Sequence, residues 1–249
     1  MSKVFTENNL TEGINQLASL MKLSKSTVIL TGAGMDTESN IPDFRSKGGW
    51  WRQRDPRLVA SIDNFYENYP LFHEFYTDRI KQLEKIKPHE GHYILARLER
   101  QGLIESIATQ NIAGLHNIAG NKKIYELHGN IRKVHCHNCK QKASLISFLN
   151  KKTCTNCGHH ALRPSLTLFG ERLPQDSWNK AIRDIEDSSL LLVIGTSLEV
   201  SPVNQLPTLT NGKSILINRE NINRGYNFEF KLLASAGKIL KLLEAELKA

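Results

Sequence analysis

Short apolar runs in this chain repeatedly stop in polar or glycine residues. Thr27-Val28-Ile29-Leu30 runs into Thr31-Gly32-Ala33-Gly34, and Ile104 to Ala108 runs into Thr109-Gln110-Asn111. Ile124 to Leu127 ends in His128-Gly129-Asn130, Ser189 to Ile194 in Gly195-Thr196-Ser197, and Ser214 to Ile217 in Asn218-Arg219-Glu220. Runs of this length and composition read as strands buried on both faces. Between them lie helical patterns. Leu10, Ile14, Leu17, Leu20 and Met21 share one face, Leu71 to Arg79 reads as a helix, Pro88-His89-Glu90-Gly91-His92 opens another, and Ile239 to Leu247 is amphipathic. Strands without an exposed face, alternating with helices, predict an α/β fold with a doubly wound parallel sheet covered on both sides. Ligands of such sheets bind off the carboxyl ends of the strands. The polar tails are therefore expected to form one site wall from distant sequence.

The first tail is the most informative. Two glycines one residue apart after a strand suit the close approach of a pyrophosphate. The third glycine of the dinucleotide fingerprint is missing, since position 37 is Thr, and Asp55, the acid at the usual distance, follows no strand. A nicotinamide dehydrogenase is thus a poor fit. Beyond the glycines, Pro42-Asp43-Phe44-Arg45 sets a stiff turn, a carboxylate, an aromatic face and a guanidinium beside the phosphate site. Ser46-Lys47-Gly48-Gly49 reads as a joint, and the adjacent Trp50 and Trp51 cannot both face one core.

The chain has 249 residues, 40% hydrophobic and 23% charged, as expected for a globular protein of one large or two unequal domains. Its longest apolar run, Leu190 to Gly195, is far short of the roughly 20 residues of a membrane span. Met1 to Glu7 holds no secretory h-region, so a cytoplasmic location is expected. The net charge of +8 comes from scattered Lys and Arg interrupted by acids, which argues for a solvated surface and against a nucleic-acid stripe. His89 and His92 lie near a helix start with no further ligand close in sequence, so a capping or surface role is expected for both.

The four cysteines form two tight pairs, Cys136-x-x-Cys139 and Cys154-x-x-Cys157. Two such pairs can place four thiolates at tetrahedral angles around one zinc ion. A site closed by four sulfurs has no open position to activate water, so this Zn2+ is expected to be structural. His135, His137, His159 and His160 crowd the same module and read as surrounding or surface groups. The expected organisation is a Rossmann-like domain from 1–45, 89–130 and 162–249, a helical insertion at 46–88 and a zinc module at 131–161.

Taken together, Gly32-Ala33-Gly34, Ile41 to Arg45, Thr109-Gln110-Asn111-Ile112, Leu127-His128-Gly129, the cysteine quartet, Arg163-Pro164, Phe169-Gly170-Glu171, Gly195-Thr196-Ser197 and Asn218 resemble a sirtuin. That family comprises NAD-dependent protein-lysine deacylases. The resemblance implies a Rossmann-like large domain and a small zinc-ribbon plus helical domain. NAD as co-substrate and an acyl-lysine peptide would meet between them. The acyl oxygen would attack the nicotinamide ribose, nicotinamide would leave, and His128 would act as general base toward O-acyl-ADP-ribose and free lysine.

By the same match, Gly32, Ala33 and Gly34 would hold phosphates. Asp43, Phe44, Arg45 and Gln110 would line the nicotinamide-ribose region, and Asn111 would position ribose hydroxyls or a water. Gly195, Thr196 and Ser197 would meet phosphate and ribose, and Asn218, Arg219 and Glu220 the adenosine end. Phe169, Gly170 and Glu171 would pair with substrate backbone by strand addition. Two positions depart from the family pattern. Ala113 stands where an Asp would accept a hydrogen bond from the nicotinamide carboxamide, and Thr167 where the acyl-lysine tunnel usually has Val. Tyr76 and Arg79, three apart on one helix face, match a pair that in some sirtuins binds the carboxylate of succinyl- or malonyl-lysine. An ordinary surface ion pair with Asp78 or Glu74 is the alternative. Competing readings are NAD hydrolysis without peptide, an activity-impaired NAD-binding homologue because of Ala113, and a zinc-ribbon module for nucleic acid. The last has basic Lys140, Lys142, Lys151 and Lys152, but Phe148 as its only nearby aromatic.

Overall fold

The computed structural model describes residues 2–42, 59–222 and 225–249. Asp43, Phe44, Arg45, the 46–49 joint, Trp50 and Trp51 lie outside the described residues.

The chain begins with strand β1 (Lys3–Phe5) and helix α1 (Leu10–Leu23), whose apolar stripe Leu10, Ile14, Leu17 and Met21 is buried. Strand β2 (Thr27–Thr31) leads into the short α2 (Ala33–Asp36). Helices α3 (Ile62–Glu67) and α4 (Tyr69–Leu83) form the helical insertion. Pro70 lies in the first turn of α4, where a missing N–H costs nothing, so it starts the helix and does not break it. Then come α5 (Glu90–Arg100), β3 (Ser106–Thr109), α6 (Leu115–Ala119) and β4 (Ile124–Glu126). Strands β5 (Gly129–Cys136) and β6 (Lys142–Ala143), α7 (Leu145–Leu149) and β7 (Leu162–Leu166) follow. The chain ends with α8 (Gln175–Glu186), β8 (Leu190–Ile194), β9 (Lys213–Asn218), β10 (Phe230–Leu233) and α9 (Ala236–Lys248).

Seven strands form one parallel sheet in the order β1-β10-β9-β8-β2-β3-β4. Alternate residues of each central strand enter different cores. Leu190, Leu192 and Ile194 of β8 pack with α1, α5 and α9 on one face, while Leu191 and Val193 pack with α8 on the other. The uninterrupted apolar runs are explained by this two-sided burial. The order also contains a switch. From β2 the sheet grows outward through β3 and β4 on one side, and from β8 through β9 and β10 on the other. The direction of growth thus reverses between the neighbouring strands β2 and β8, and in such sheets ligands bind off the carboxyl ends at that point.

The remaining strands form an antiparallel sheet, β6-β5-β7. Strand β7 pairs with β5 from Gly129↔Leu166 to Cys136↔Leu162, so the small sheet spans 129–166, wider than the 131–161 expected for the zinc module. His128-Gly129-Asn130 is correspondingly more than a strand tail, because Gly129 opens β5. Its φ is +78°, and a Cβ there would lie 2.2 Å from the Ser165 carbonyl oxygen. The helical insertion and the zinc module share one apolar cluster, with Phe65, Phe72 and Tyr76 packed together with Val134, Phe148 and Leu162. They form a single small lobe. Among the described residues no helix is long and apolar enough to cross a membrane.

Candidate active site

A cleft of about 1460 Å³ opens where the sheet switches direction, between the strand tails and the small lobe. From the sheet side it is lined by Ala33, Gly34, Gln110, Asn111, His128, Gly195, Thr196, Ser197, Asn218, Arg219 and Glu220. From the small lobe come Tyr76, Arg79, Thr167, Phe169, Gly170 and Glu171. Every described residue expected at the site from the sequence therefore borders this one space, except Gly32, which is the residue ahead of the α2 helix.

The glycines serve contact between loops. A Cβ on Gly34 would fall 2.8 Å from Gly195 Cα, and one on Gly195, whose φ is +62°, would fall 2.3 Å from Met35 N. Only glycines let the loops after β2 and β8 touch in this way. The N–H of Gly32 donates to Ile194 O at 3.0 Å and that of Gly34 to Gly195 O at 2.7 Å. These two amides hold the loops together, so in the Gly32-Ala33-Gly34 backbone expected to hold phosphates both glycine N–H groups already have carbonyl partners. The loop after β3 joins them. Gln110 Nε2 donates to Thr196 Oγ1 at 3.1 Å, and Thr196 Oγ1 also accepts the Leu198 N–H. Asn218 Nδ2 donates to Glu220 O at 2.9 Å, folding the tail of β9 on itself.

His128 Nδ1 lies 3.2 Å from the Gln110 carbonyl oxygen. A carbonyl only accepts, so Nδ1 carries the proton and Nε2 keeps its lone pair. Burial lowers the pKa below the usual 6.5, against the opposing pull of the Gln110 carbonyl, so the ring is neutral near pH 7.

In the small lobe, Glu171 receives Arg163 through Nη1 at 2.6 Å and Nη2 at 2.8 Å, and accepts the Leu168 N–H at 2.9 Å. Its carboxylate is bonded to its own loop. Phe169 N–H donates to Ala60 O, and Phe169 O accepts from Ile62 N–H. Tyr76 and Arg79 are 3% and 8% exposed, which excludes a surface ion pair for Arg79. Burial lowers the pKa of the guanidinium and raises that of the phenol. Thr167 donates its N–H to His128 O at 2.9 Å, linking the small-lobe side of the cleft to the histidine. Ala113 is buried in the small-lobe core, and its carbonyl accepts Arg132 Nε–H at 2.8 Å.

Behind the glycine loop lies a polar cluster the sequence did not announce. Asp36 Oδ1 accepts from Asn111 Nδ2 at 2.8 Å and from His92 Nε2 at 3.1 Å. Asn111 Nδ2 also donates to Gly32 O at 2.9 Å. Thr31 Oγ1 donates to Thr109 Oγ1 and therefore accepts from His116 Nε2, 3.1 Å away. Burial raises Asp36 to about 6 and lowers His92 and His116 to about 3. His89 caps α5 as expected, accepting the Gly91 N–H on Nδ1. The expected capping or surface role of His92 is corrected, since its ring is wholly buried. The available signal was Asp36 itself, an acid directly after an apolar strand and a glycine turn.

Cys136, Cys139, Cys154 and Cys157 bring their sulfurs within 4.8 Å of one another. The Cys136–Cys157 and Cys139–Cys154 separations are 3.6 Å. Disulfides need about 2.05 Å, whereas tetrahedral zinc with Zn–S bonds of about 2.3 Å sets sulfurs about 3.8 Å apart. The Cys157 thiol is drawn down to about 6 by the His159 backbone N–H, toward the thiolate a metal requires. The four cysteines fit one structural Zn2+.

A doubly wound sheet with its cleft at the switch point, closed by a zinc-stapled lobe, defines an α/β protein of the dinucleotide-binding class. The sequence pattern of the Sir2 family matches residues 32–202, and the chain belongs to that family. It is 46% identical over 201 residues to an NAD-dependent protein deacetylase of Oceanobacillus iheyensis, covering 79% of this chain and 85% of that one. It is 36% identical over 244 residues to NAD-dependent protein deacylase 2 of Archaeoglobus fulgidus, covering 94% and 96%. A solved Sir2 homologue in complex with ADP-ribose superposes with a TM-score of 0.88 at 32% identity, over 94% of this chain and 96% of the other. A Sir2 complex with a p53 peptide and NAD+ superposes at 0.81 and 35% identity, over 93% and 97%.

Proposed function

We propose that this cleft removes acyl groups from protein lysines at the expense of NAD, with His128 as its base. The observation that carries this reading is the His128 ring at the cleft wall, its proton held on Nδ1 by Gln110 O. A neutral imidazole with a free Nε2 is poised to take a proton from a hydroxyl. When bound, NAD supplies the electrophilic ribose carbon and the departing nicotinamide. Ala33, Thr196 and Ser197 face the phosphates from the switch point, and Asn218, Arg219 and Glu220 border the adenosine end. Gln110 and Asn111 face the nicotinamide ribose; for Asp43, Phe44 and Arg45, outside the described residues, the family resemblance alone implies a part in cofactor binding. Thr167, Phe169 and Gly170 face the acyl-lysine peptide, with Glu171 holding their loop. Four unoxidised thiols around a metal fit a reducing, cytoplasmic setting.

The buried Tyr76 and Arg79 add a preference. A guanidinium and a phenol in the acyl part of the cleft suit an acyl chain that ends in a carboxylate, such as succinyl or malonyl. Mass spectrometry of products from NAD and a panel of acyl-lysine peptides tests both readings. The expected products are nicotinamide, O-acyl-ADP-ribose and free lysine, with faster turnover of succinyl- than acetyl-lysine. Arg79→Met should abolish that preference and spare acetyl-lysine. Nicotinamide release without any acyl peptide would instead mark an NAD hydrolase.

A further inference from the structure

We propose that Asp36 is a positioning residue that locks the Asn111 amide with its oxygen toward the cleft, supplying the acceptor that Ala113 lacks. The inference deepens the reading of this cleft as an NAD site. Asn111 Nδ2 has two hydrogens. One goes to the Gly32 carbonyl at 2.9 Å and the other to Asp36 Oδ1 at 2.8 Å. Both partners are acceptors, so a flipped amide would set oxygen against a carbonyl and a carboxylate. Oδ1 accepts no hydrogen bond among the described residues, and Asn111 borders the cleft.

The lock is itself braced. His92 Nε2 donates to the same Asp36 oxygen, and the His92 side chain is wholly buried. A hydrogen bond donated to an ionised carboxylate is about twice as strong as one to a neutral acceptor. Residue 36 therefore decides how rigidly Asn111 is held. The family pattern leads one to expect a carboxylate acceptor at position 113, two residues further along the same loop, and here an alanine side chain is buried there. The carboxylate stands instead behind Asn111 and acts through it. What it presents is a fixed carbonyl oxygen, an acceptor for a carboxamide N–H₂ or a hydroxyl.

The test compares the native chain with Asp36→Asn, Ala113→Asp and the double variant. The first readout needs no turnover: solvent exchange of the Asn111 side-chain amide protons by NMR in the zinc-loaded, ligand-free protein. They should exchange slowly in the native chain and fast in Asp36→Asn. The second is nicotinamide affinity, from inhibition and base exchange. It should weaken roughly tenfold in Asp36→Asn, the worth of one charge-assisted hydrogen bond, with the KM for acyl peptide unchanged. Ala113→Asp should restore it in the Asp36→Asn background and add much less in the native one. Unchanged amide exchange in Asp36→Asn, or a loss that Ala113→Asp does not rescue, overturns the proposal. If Asp36→Asn does not fold, fast exchange of the Asn111 amide in the native chain overturns it too. A native chain that releases no nicotinamide with any acyl peptide overturns the underlying NAD reading, and this is distinguishable because the exchange measurement stands apart from turnover.

Discussion

His128 shows how one hydrogen bond sets a chemical role. With the proton on Nδ1, the ring offers a base at Nε2, and burial keeps it neutral below its usual pH. His128→Asn should lower deacylation by about 10²–10⁴-fold, the usual worth of a general base, while ADP-ribose binding by calorimetry stays within a few-fold. The acid limb of kcat/KM in the native enzyme should lie below 6.5, the direction in which burial shifts this group. The buried cluster behind it has a pH signature of its own. His92 and His116 titrate at about 3 when folded and near 6.5 when unfolded. Between those values the unfolded chain binds more protons, so stability is lost as pH falls through the window. Asp36, raised from 3.8 to about 6, works in the opposite sense, since the folded state takes up its proton first as pH falls. Two histidines outweigh one carboxylate. The urea midpoint should therefore drop from pH 7 to pH 5, and His92→Asn should flatten that slope.

Individual elements depend on contacts that a local pattern does not carry. The loops after β2 and β8 meet through glycine alone, so Gly195→Ala should cost about 1–3 kcal/mol in chemical denaturation from strain at its positive φ. It should also weaken ADP-ribose binding, because the cleft wall proposed to hold the phosphates is built from that contact. Helix α9 is tied to the same region. Ser235 caps it through the Lys238 N–H, and Glu38, just past the glycine turn, accepts the Gly237 N–H at 2.9 Å. In the small lobe, β5, β6 and β7 converge on the cysteines. Removing zinc with a strong chelator should release one equivalent of metal, lower the Tm and abolish turnover. Serine at Cys136 or Cys154, the two buried ligands, should do the same without chelator.

At the scale of the whole molecule, the cleft is a product of topology. Two halves of one parallel sheet grow in opposite directions from the neighbouring strands β2 and β8, and the cleft off their carboxyl ends receives strand tails far apart in sequence. The facing lobe adds Tyr76 and Arg79 from α4, whose burial is made by the cluster of Phe65, Phe72 and Leu162 shared with the zinc module. The acyl preference proposed for Tyr76 and Arg79 would accordingly be a property of the lobe–sheet arrangement. Strands β2, β3, β8 and β9 were legible because two-sided burial demands unbroken apolar runs. Strand β10 was not, since Lys231 interrupts it. That ammonium is buried and bonds Asn221 Oδ1 and Ile222 O, both at 2.8 Å, a satisfaction arranged by distant loops. Short β1 pairs only with β10, and β7 is defined by its antiparallel partner, so neither has a periodic signature.

The amino-acid order alone determined the parallel α/β architecture, the metal ligands and the identities of the residues around the cleft. Each of these depends on side-chain type at fixed spacing, and spacing is visible in one dimension. Only the tertiary structure decided which amides of the glycine turn are used up between loops, that Glu171 serves its own loop, that Arg79 faces inward, and that Asp36 and His92 stand behind Asn111. Those outcomes depend on which hydrogen-bond partners remain after distant segments have packed, and no local pattern records that competition.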